Sequence, residues 1–260
     1  MHIPDKILRW ISTKNWTLYD HQIKMFANSE YSAQLLIAPT GSGKTLAGFL
    51  PTIADLYLNP SPTLHTLYIS PLKALASDIK RNLEAPINEL KLSITVEDRT
   101  GDTKQSLKKK QRVVPPNILL TTPESLALLM SYPEAARIFS NLKRIVVDEL
   151  HAITESKRGD QLFLAISNIR KYCRNVKIIG LSATVNDPSL IAGWLAPEYD
   201  CDIILSDPGL DPDVSILKTS EPPPWAGSGG LYSIPEVINE IEKHKTTLIF
   251  HNTRAQAEIF

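Results

Sequence analysis

Residues 34–45 of the 260-residue chain read QLLIAPTGSGKT, and LAGFLPTIADLYL follows at helical period. A short apolar strand that turns through glycines into a long helix is half of a parallel crossover unit, which commits the chain to an α/β architecture. Further β-branched or Leu-rich runs at 66–70, 94–99, 118–122, 144–148 and 177–182 alternate with helical stretches. That order predicts one domain with a parallel central sheet flanked by helices. Segment 159–173 shows the helical pattern: Leu162, Ile166 and Ile169 share one face, while Asn168, Arg170 and Lys171 point elsewhere.

The composition changes after the last of these strands. Residues 206–230 hold nine Pro or Gly in 25 positions, against 30 in all 260, and read as a connector. Beyond it, the pattern predicts a helix over 235–244, a strand over 246–251 and a helix from 253 onward. Some 30 residues are too few for an independent domain, so the expectation is a chain that stops just inside a second one.

Lys+Arg and Asp+Glu balance at 28 each, which excludes attraction of the whole chain to nucleic acid or membrane while leaving local basic stripes open. Apolar runs fall far short of the roughly 20 residues needed to cross a bilayer. The start, MHIPDKILRW, carries Asp5, Lys6 and Arg9 where a secretion signal needs uninterrupted apolar residues. Cys173 and Cys201 are too few for a disulfide framework and read as buried thiols, so a cytoplasmic protein is expected.

Glycines at 41 and 43 let the loop turn its backbone N–H groups inward around phosphate, and the helix opening near Lys44 adds the positive end of its dipole. Thr40, Gly41, Ser42 and Gly43 are therefore candidates to wrap the phosphates of ATP. Lys44 would reach the β- and γ-phosphates, and Thr45 would place its hydroxyl on Mg²⁺. Ala38 stands where the general pattern has its first glycine.

A second signal follows the apolar strand Ile145-Val146-Val147, which runs into Asp148-Glu149-Leu150-His151. An acidic pair at the C-terminal end of a parallel strand is where this fold class places its chemistry. Asp148 is expected to hold Mg²⁺ through water, and Glu149 to orient and deprotonate the water attacking the γ-phosphate. Lys44 and the acidic pair are expected to converge from adjacent strand ends.

With Ser182-Ala183-Thr184 closing the strand KIIGLS, these segments resemble motifs I, II and III of superfamily 2 helicases. SPLKALA (70–76), RTGDT (99–103), TTPESL (121–126), SKRG (156–159), WAG (225–227) and LIFHNTR (248–254) narrow the resemblance. They are similar to the Lhr group of DExH-box helicases, in particular its ligase-associated, DNA-damage-response branch, along nearly the whole chain. The resemblance implies a first RecA-like lobe at 1–205, a connector at 206–230 and a truncated start of a second RecA-like lobe at 231–260. It implies ATP-driven movement 3′ to 5′ on single-stranded DNA with duplex unwinding. It also implies adenine recognition by Gln22, with Trp16 a candidate stacking residue; an exposed helical glutamine is the alternative reading.

Ser70-Pro71 and Thr122-Pro123 each read as a hydroxyl N-cap followed by proline at the first helical position, leaving the next amides free for phosphate. The resemblance makes these residues, with Lys73 and the turn Thr100-Gly101-Asp102-Thr103, contacts to a nucleic-acid backbone. Lys104, Lys108 and Arg112 recur every four residues, as a phosphate-facing stripe or as a solvated helix face. An RNA or RNA–DNA hybrid track stays open, because backbone contacts do not choose between the sugars. His151, Ser182 and Thr184 are expected to couple hydrolysis to lobe movement, with a Ser/Thr cap on the helix near Pro188 as the alternative.

Superfamily 2 hydrolysis draws arginines from the second lobe, in segments outside these residues. The expectation is a chain that binds ATP and nucleic acid but hydrolyses slowly and does not unwind. A split-gene or truncated product that only binds nucleotide and nucleic acid is the competing reading. Expected partners are single-stranded DNA, a downstream chain carrying the rest of the second lobe and, by resemblance, a DNA-repair nuclease or ligase; a membrane is not among them.

Overall fold

A computed structural model of the chain describes residues 3–28, 30–154, 156–183, 185, 187–197, 200–207, 213–222, 224–225 and 230–260. It divides into two compact units, Met1–Gly209 and Leu210–Phe260. The first unit opens with helices α1 (Asp5–Thr13) and α2 (Asp20–Ala27), then β1 (Ala33–Ile37) and α3 (Lys44–Leu58). Next come β2 (Thr66–Ile69), α4 (Lys73–Glu89), β3 (Val96–Arg99), α5 (Gln105–Val113) and β4 (Ile118–Thr121). Helices α6 (Pro123–Met130) and α7 (Ala135–Phe139) lead to β5 (Arg144–Val147), and α8 (Lys157–Tyr172) leads to β6 (Lys177–Ser182). The unit closes with α9 (Pro188–Leu195) and β7 (Cys201–Leu205).

All seven strands run parallel, in the order β3-β4-β2-β5-β6-β1-β7. Six are the strands expected from the sequence. The seventh, CDIIL, carries Asp202 as its second residue and, among the described residues, pairs only with β1, so it lacks the unbroken apolar run of a strand covered on both sides. The order also corrects one expectation: β1 and β5 are not neighbours, because β6 lies between them.

Side chains alternate across the sheet with period two and feed two cores. Leu36, Tyr68, Leu120, Val146 and Leu181 face helices α1 to α4. Leu35, Leu67, Leu119, Ile145 and Ile178 face α6 to α9. β1 and β5 are buried at every position, which fixes their C-terminal ends rigidly beneath the loops that follow.

The second unit contains α10 (Ile234–Lys243) and α11 (Arg254–Ile259), close to the expected helices. The strand expected over 246–251 is not formed. A lone strand has no partner for its backbone groups, and among the described residues this unit offers none.

Candidate functional site

Gly41 and Gly43 adopt φ of +83° and +76°, the left-handed region that a loop needs to fold its amides toward an anion. The turn is pinned from below: Ala38 N–H donates to Ser182 O, and Ser42 Oγ and N–H both donate to Pro39 O. Lys44 is buried at 8% exposure with its ammonium on Ala38 O at 2.9 Å, curled over the loop that it would complete.

From the other side, α2 braces the same loop. Gln22, 3% exposed, accepts from Tyr19 N–H at 3.0 Å and donates through Nε2 to Gly43 O at 3.1 Å. The exposed-glutamine reading is thus excluded, and the carboxamide is already engaged with the protein through both ends. His21, which motif reading passed over, meets Ser42 O through Nε2 at 3.0 Å and stacks on Tyr19. Burial holds its imidazole below the usual range. A Cβ at Gly43 would lie 2.5 Å from Gln22 Nε2, so close approach and positive φ both require glycine there.

Asp148 extends from β5 with its backbone N–H on Ile69 O at 2.8 Å. Its two oxygens are oriented separately: Oδ1 accepts from Glu149 N–H at 2.9 Å and Oδ2 from the Tyr68 hydroxyl. Burial pushes this carboxyl above its usual range, opposed by those two hydrogen bonds. Burial and the Asp148 charge in turn hold the Tyr68 phenol well above its own range. Nothing in the local sequence marks Tyr68, because its contact depends on which strand lies beside β2.

Glu149, the second member of the acidic pair, takes a left-handed backbone, φ 48° and ψ 44°, rare for a residue with a side chain. His151 follows in a single 3₁₀ turn, Leu150–Ala152. Its Nδ1 accepts from Ala183 N–H at 3.2 Å and lies 3.2 Å from Ser182 Oγ. A nitrogen that accepts carries no proton, so in the neutral ring the hydrogen sits on Nε2, 3.5 Å from Glu149 Oε2. The Ser182 hydroxyl thus meets the His151 ring. Thr184 lies outside the described residues.

Thr40, Gly41, Gly43, Lys44, Thr45, Asp148 and Glu149 all line one cavity of about 570 Å³. Ser42 turns away to Pro39, and Trp16 lines the same cavity, edge-on to Trp10 at 5.6 Å. The residues suit a magnesium triphosphate. A buried ammonium, inward-turning glycines and hard oxygen donors on Thr45 and Asp148 are its ordinary surroundings.

The expected nucleic-acid residues occupy the other half of the same sheet edge, at the ends of β2, β4 and β3. Thr122 caps α6, accepting from Ser125 N–H at 3.4 Å, with Pro123 at the first helical position. The matching expectation for Ser70 is corrected. Helix α4 starts at Lys73 with Leu72 at its N-cap, and fully buried Ser70 donates to Leu72 O, closing a turn ahead of the helix that leaves Pro71 outside it. Lys73 reaches Asp102 at 3.0 Å across exposed Gly101, where a Cβ would sit 2.9 Å from its ammonium. Asp102 N–H returns to Thr100 Oγ1 at 3.3 Å.

Arg158 locks these turns together, donating to Pro71 O at 2.8 Å and pairing with Glu124. Its place in SKRG (156–159) does not by itself reveal this clamp. Two members of the basic stripe serve local structure: Lys108 donates to Gly101 O at 3.1 Å, while Arg112 pairs with Glu134 and lies 4.1 Å over the Tyr132 ring.

Comparison with known proteins agrees with this geometry. The profile of the DEAD/DEAH box helicases matches residues 19–191. This chain belongs to that family. Within the family it is 36% identical to the ATP-dependent helicase Lhr-Core protein 2 of Thermococcus barophilus, over 98% of the chain and 32% of that protein. It is 36% identical to the ATP-dependent helicase Lhr-Core of Methanocaldococcus jannaschii, over 86% of the chain and 28% of that protein. Helicase Lhr of Mycobacterium smegmatis, solved with ssDNA and AMP-PNP, superposes with a TM-score of 0.84 at 32% identity, over 99% of this chain and 35% of that one. The chain spans about a third of the length of these relatives. The seven-stranded parallel sheet is thus a RecA-like helicase fold.

Proposed function

We propose that the chain is the ATP-binding motor lobe of an ATP-dependent helicase that tracks along single-stranded DNA. One observation carries the reading: Lys44, which opens the helix after β1, and Asp148 and Glu149, which follow β5 on the other side of β6, line a single cavity with the glycine loop. Lys44 would leave Ala38 O for the β- and γ-phosphates, and the loop amides would wrap them. Magnesium, when bound, offsets phosphate charge; Thr45 and Asp148 would hold it. Glu149 would orient and accept a proton from the attacking water, with His151 Nε2–H beside its carboxylate. Trp16 would stack the base, and Gln22 would read adenine with the donor and acceptor capacity left beyond its two protein contacts.

Exposed Lys73, the Gly101-Asp102 turn and the start of α6 would follow the nucleic-acid backbone. The ssDNA in the Lhr structure supports DNA as the track. A role in DNA repair is proposed with it, supported by relatives named for both helicase and uracil glycosylase functions, and movement 3′ to 5′ is proposed on the motif resemblance alone. No arginine lines the phosphate cavity among the described residues. An arginine finger contributes about 10³–10⁵ in rate in related sites, so the 260 residues alone are proposed to bind ATP and turn it over slowly.

Calorimetric titration with ATP and magnesium tests this reading. Lys44→Ala is expected to lose binding, and Glu149→Gln to keep binding while losing residual turnover. Unaltered affinity in Lys44→Ala defeats the assignment. Matched DNA and RNA oligonucleotides, titrated by anisotropy, decide the track.

A further inference from the structure

We propose that Tyr68 is a positioning residue for the metal-holding carboxylate of Asp148. The inference rests on the ATP and magnesium reading above and extends it to a side chain in the middle of the sheet. Parallel pairing sets Tyr68 opposite Val146, and both side chains enter the core beneath α3. Asp148 lies two residues beyond Val146, hence on the same side. Only a side chain as long as tyrosine, with a donor at its tip, bridges from that position to the carboxylate.

The ring is held for that task. Tyr68 is fully buried and stacks on Phe49 at 4.8 Å between centroids, with the planes 20° apart. Phe49 belongs to α3, the helix whose first turn supplies Lys44 and Thr45. The phenol is thus fixed by the helix that carries the phosphate loop and donates to the acid that would share its metal. With Glu149 N–H on Oδ1 and the phenol on Oδ2, each carboxylate oxygen keeps acceptor capacity for magnesium or its waters, in an orientation set before ligand arrives. A buried tyrosine needs some acceptor, and a backbone carbonyl would satisfy it. The choice of a carboxylate lining the phosphate cavity assigns the contact to the metal site.

The test uses Mn²⁺ as a spectroscopic substitute and a non-hydrolysable ATP analogue, so that turnover is not the readout. Tyr68→Phe keeps the ring and removes the donor. It is expected to bind the analogue in EDTA as the unaltered chain does, and to hold Mn²⁺ in the analogue complex about 10-fold more weakly by electron paramagnetic resonance titration. Phe49→Leu loosens the stack but leaves the hydroxyl, and is expected to weaken Mn²⁺ much less. Equal loss in both variants, or no loss in Tyr68→Phe, overturns the assignment. If Tyr68→Phe does not fold, 3-fluorotyrosine in the unaltered chain gives the same answer. One resonance should move when Mg²⁺ joins the analogue complex and stay still in Asp148→Asn; movement in neither protein overturns the proposal. A chain that binds the analogue but takes up no Mn²⁺ in any form refutes the magnesium reading itself, and Tyr68 with it.

Discussion

Gly43 shows how much a single position can carry. Its φ of +76° costs an L-residue about 1–2 kcal/mol, and the missing Cβ makes room for the Gln22 carboxamide. Gly43→Ala should therefore lower both the melting temperature and ATP affinity. Gln22→Ala placed on top should return part of the loss, since it relieves the clash but not the backbone cost. Calorimetry on the two single variants and the double variant measures this, and strictly additive losses count against the contact. The glycines were legible in sequence because a phosphate loop is a local structure: its φ values, spacing and flanking elements all lie within a dozen residues. Tyr68 and the partners of Gln22 were not, because they depend on strand order and on where α2 docks.

At the scale of elements, the lower end of the sheet is tied by a buried cluster. Asp55 at the end of α3 accepts from Arg144 at the start of β5 at 2.8 Å and lies 3.1 Å from His65 Nε2. The His65 hydrogen bond, followed by those of Arg144, holds the Asp55 carboxyl well below the usual range. A depressed carboxylate stabilises the fold fully above its unfolded value of about 4, and that contribution is lost as pH falls from there toward the lower folded value. Stability by urea titration should drop across this acid window in the unaltered chain and drop less in Asp55→Asn. Asp55→Ala should cost about 3 kcal/mol at neutral pH, because it strands the buried Arg144. A change well under 1 kcal/mol would show that the cluster contributes little. Helix starts were partly legible at this scale. Thr122-Pro123 caps as its letters say, whereas Ser70-Pro71 does not, because the Ser70 hydroxyl is drawn to Leu72 O and the helix begins a turn later.

At the scale of the molecule, both apolar cores and every residue lining the phosphate cavity fall within Met1–Gly209. A chain cut after residue 209 should melt cooperatively at nearly the same temperature as the 260 residues and bind ATP equally well. Scanning calorimetry checks the first point, and a large fall in melting temperature argues against an autonomous first unit. The alternation of strands and helices made the fold class readable. The positions of the strands did not follow from it, because pairing across the sheet joins residues far apart in sequence and many orders share one alternation. Edge strand β7 escaped for a related reason: covered less than its neighbours, it tolerates polar residues that blur its pattern.

The interposition of β6 between β1 and β5 has a mechanical corollary. Ser182 gives its carbonyl to the amide at the foot of the glycine loop and its hydroxyl to the imidazole beside Glu149. The foot of the glycine loop and the imidazole of His151 are hinged on one shared pin, and neither can slide against the other without straining a bond at that residue.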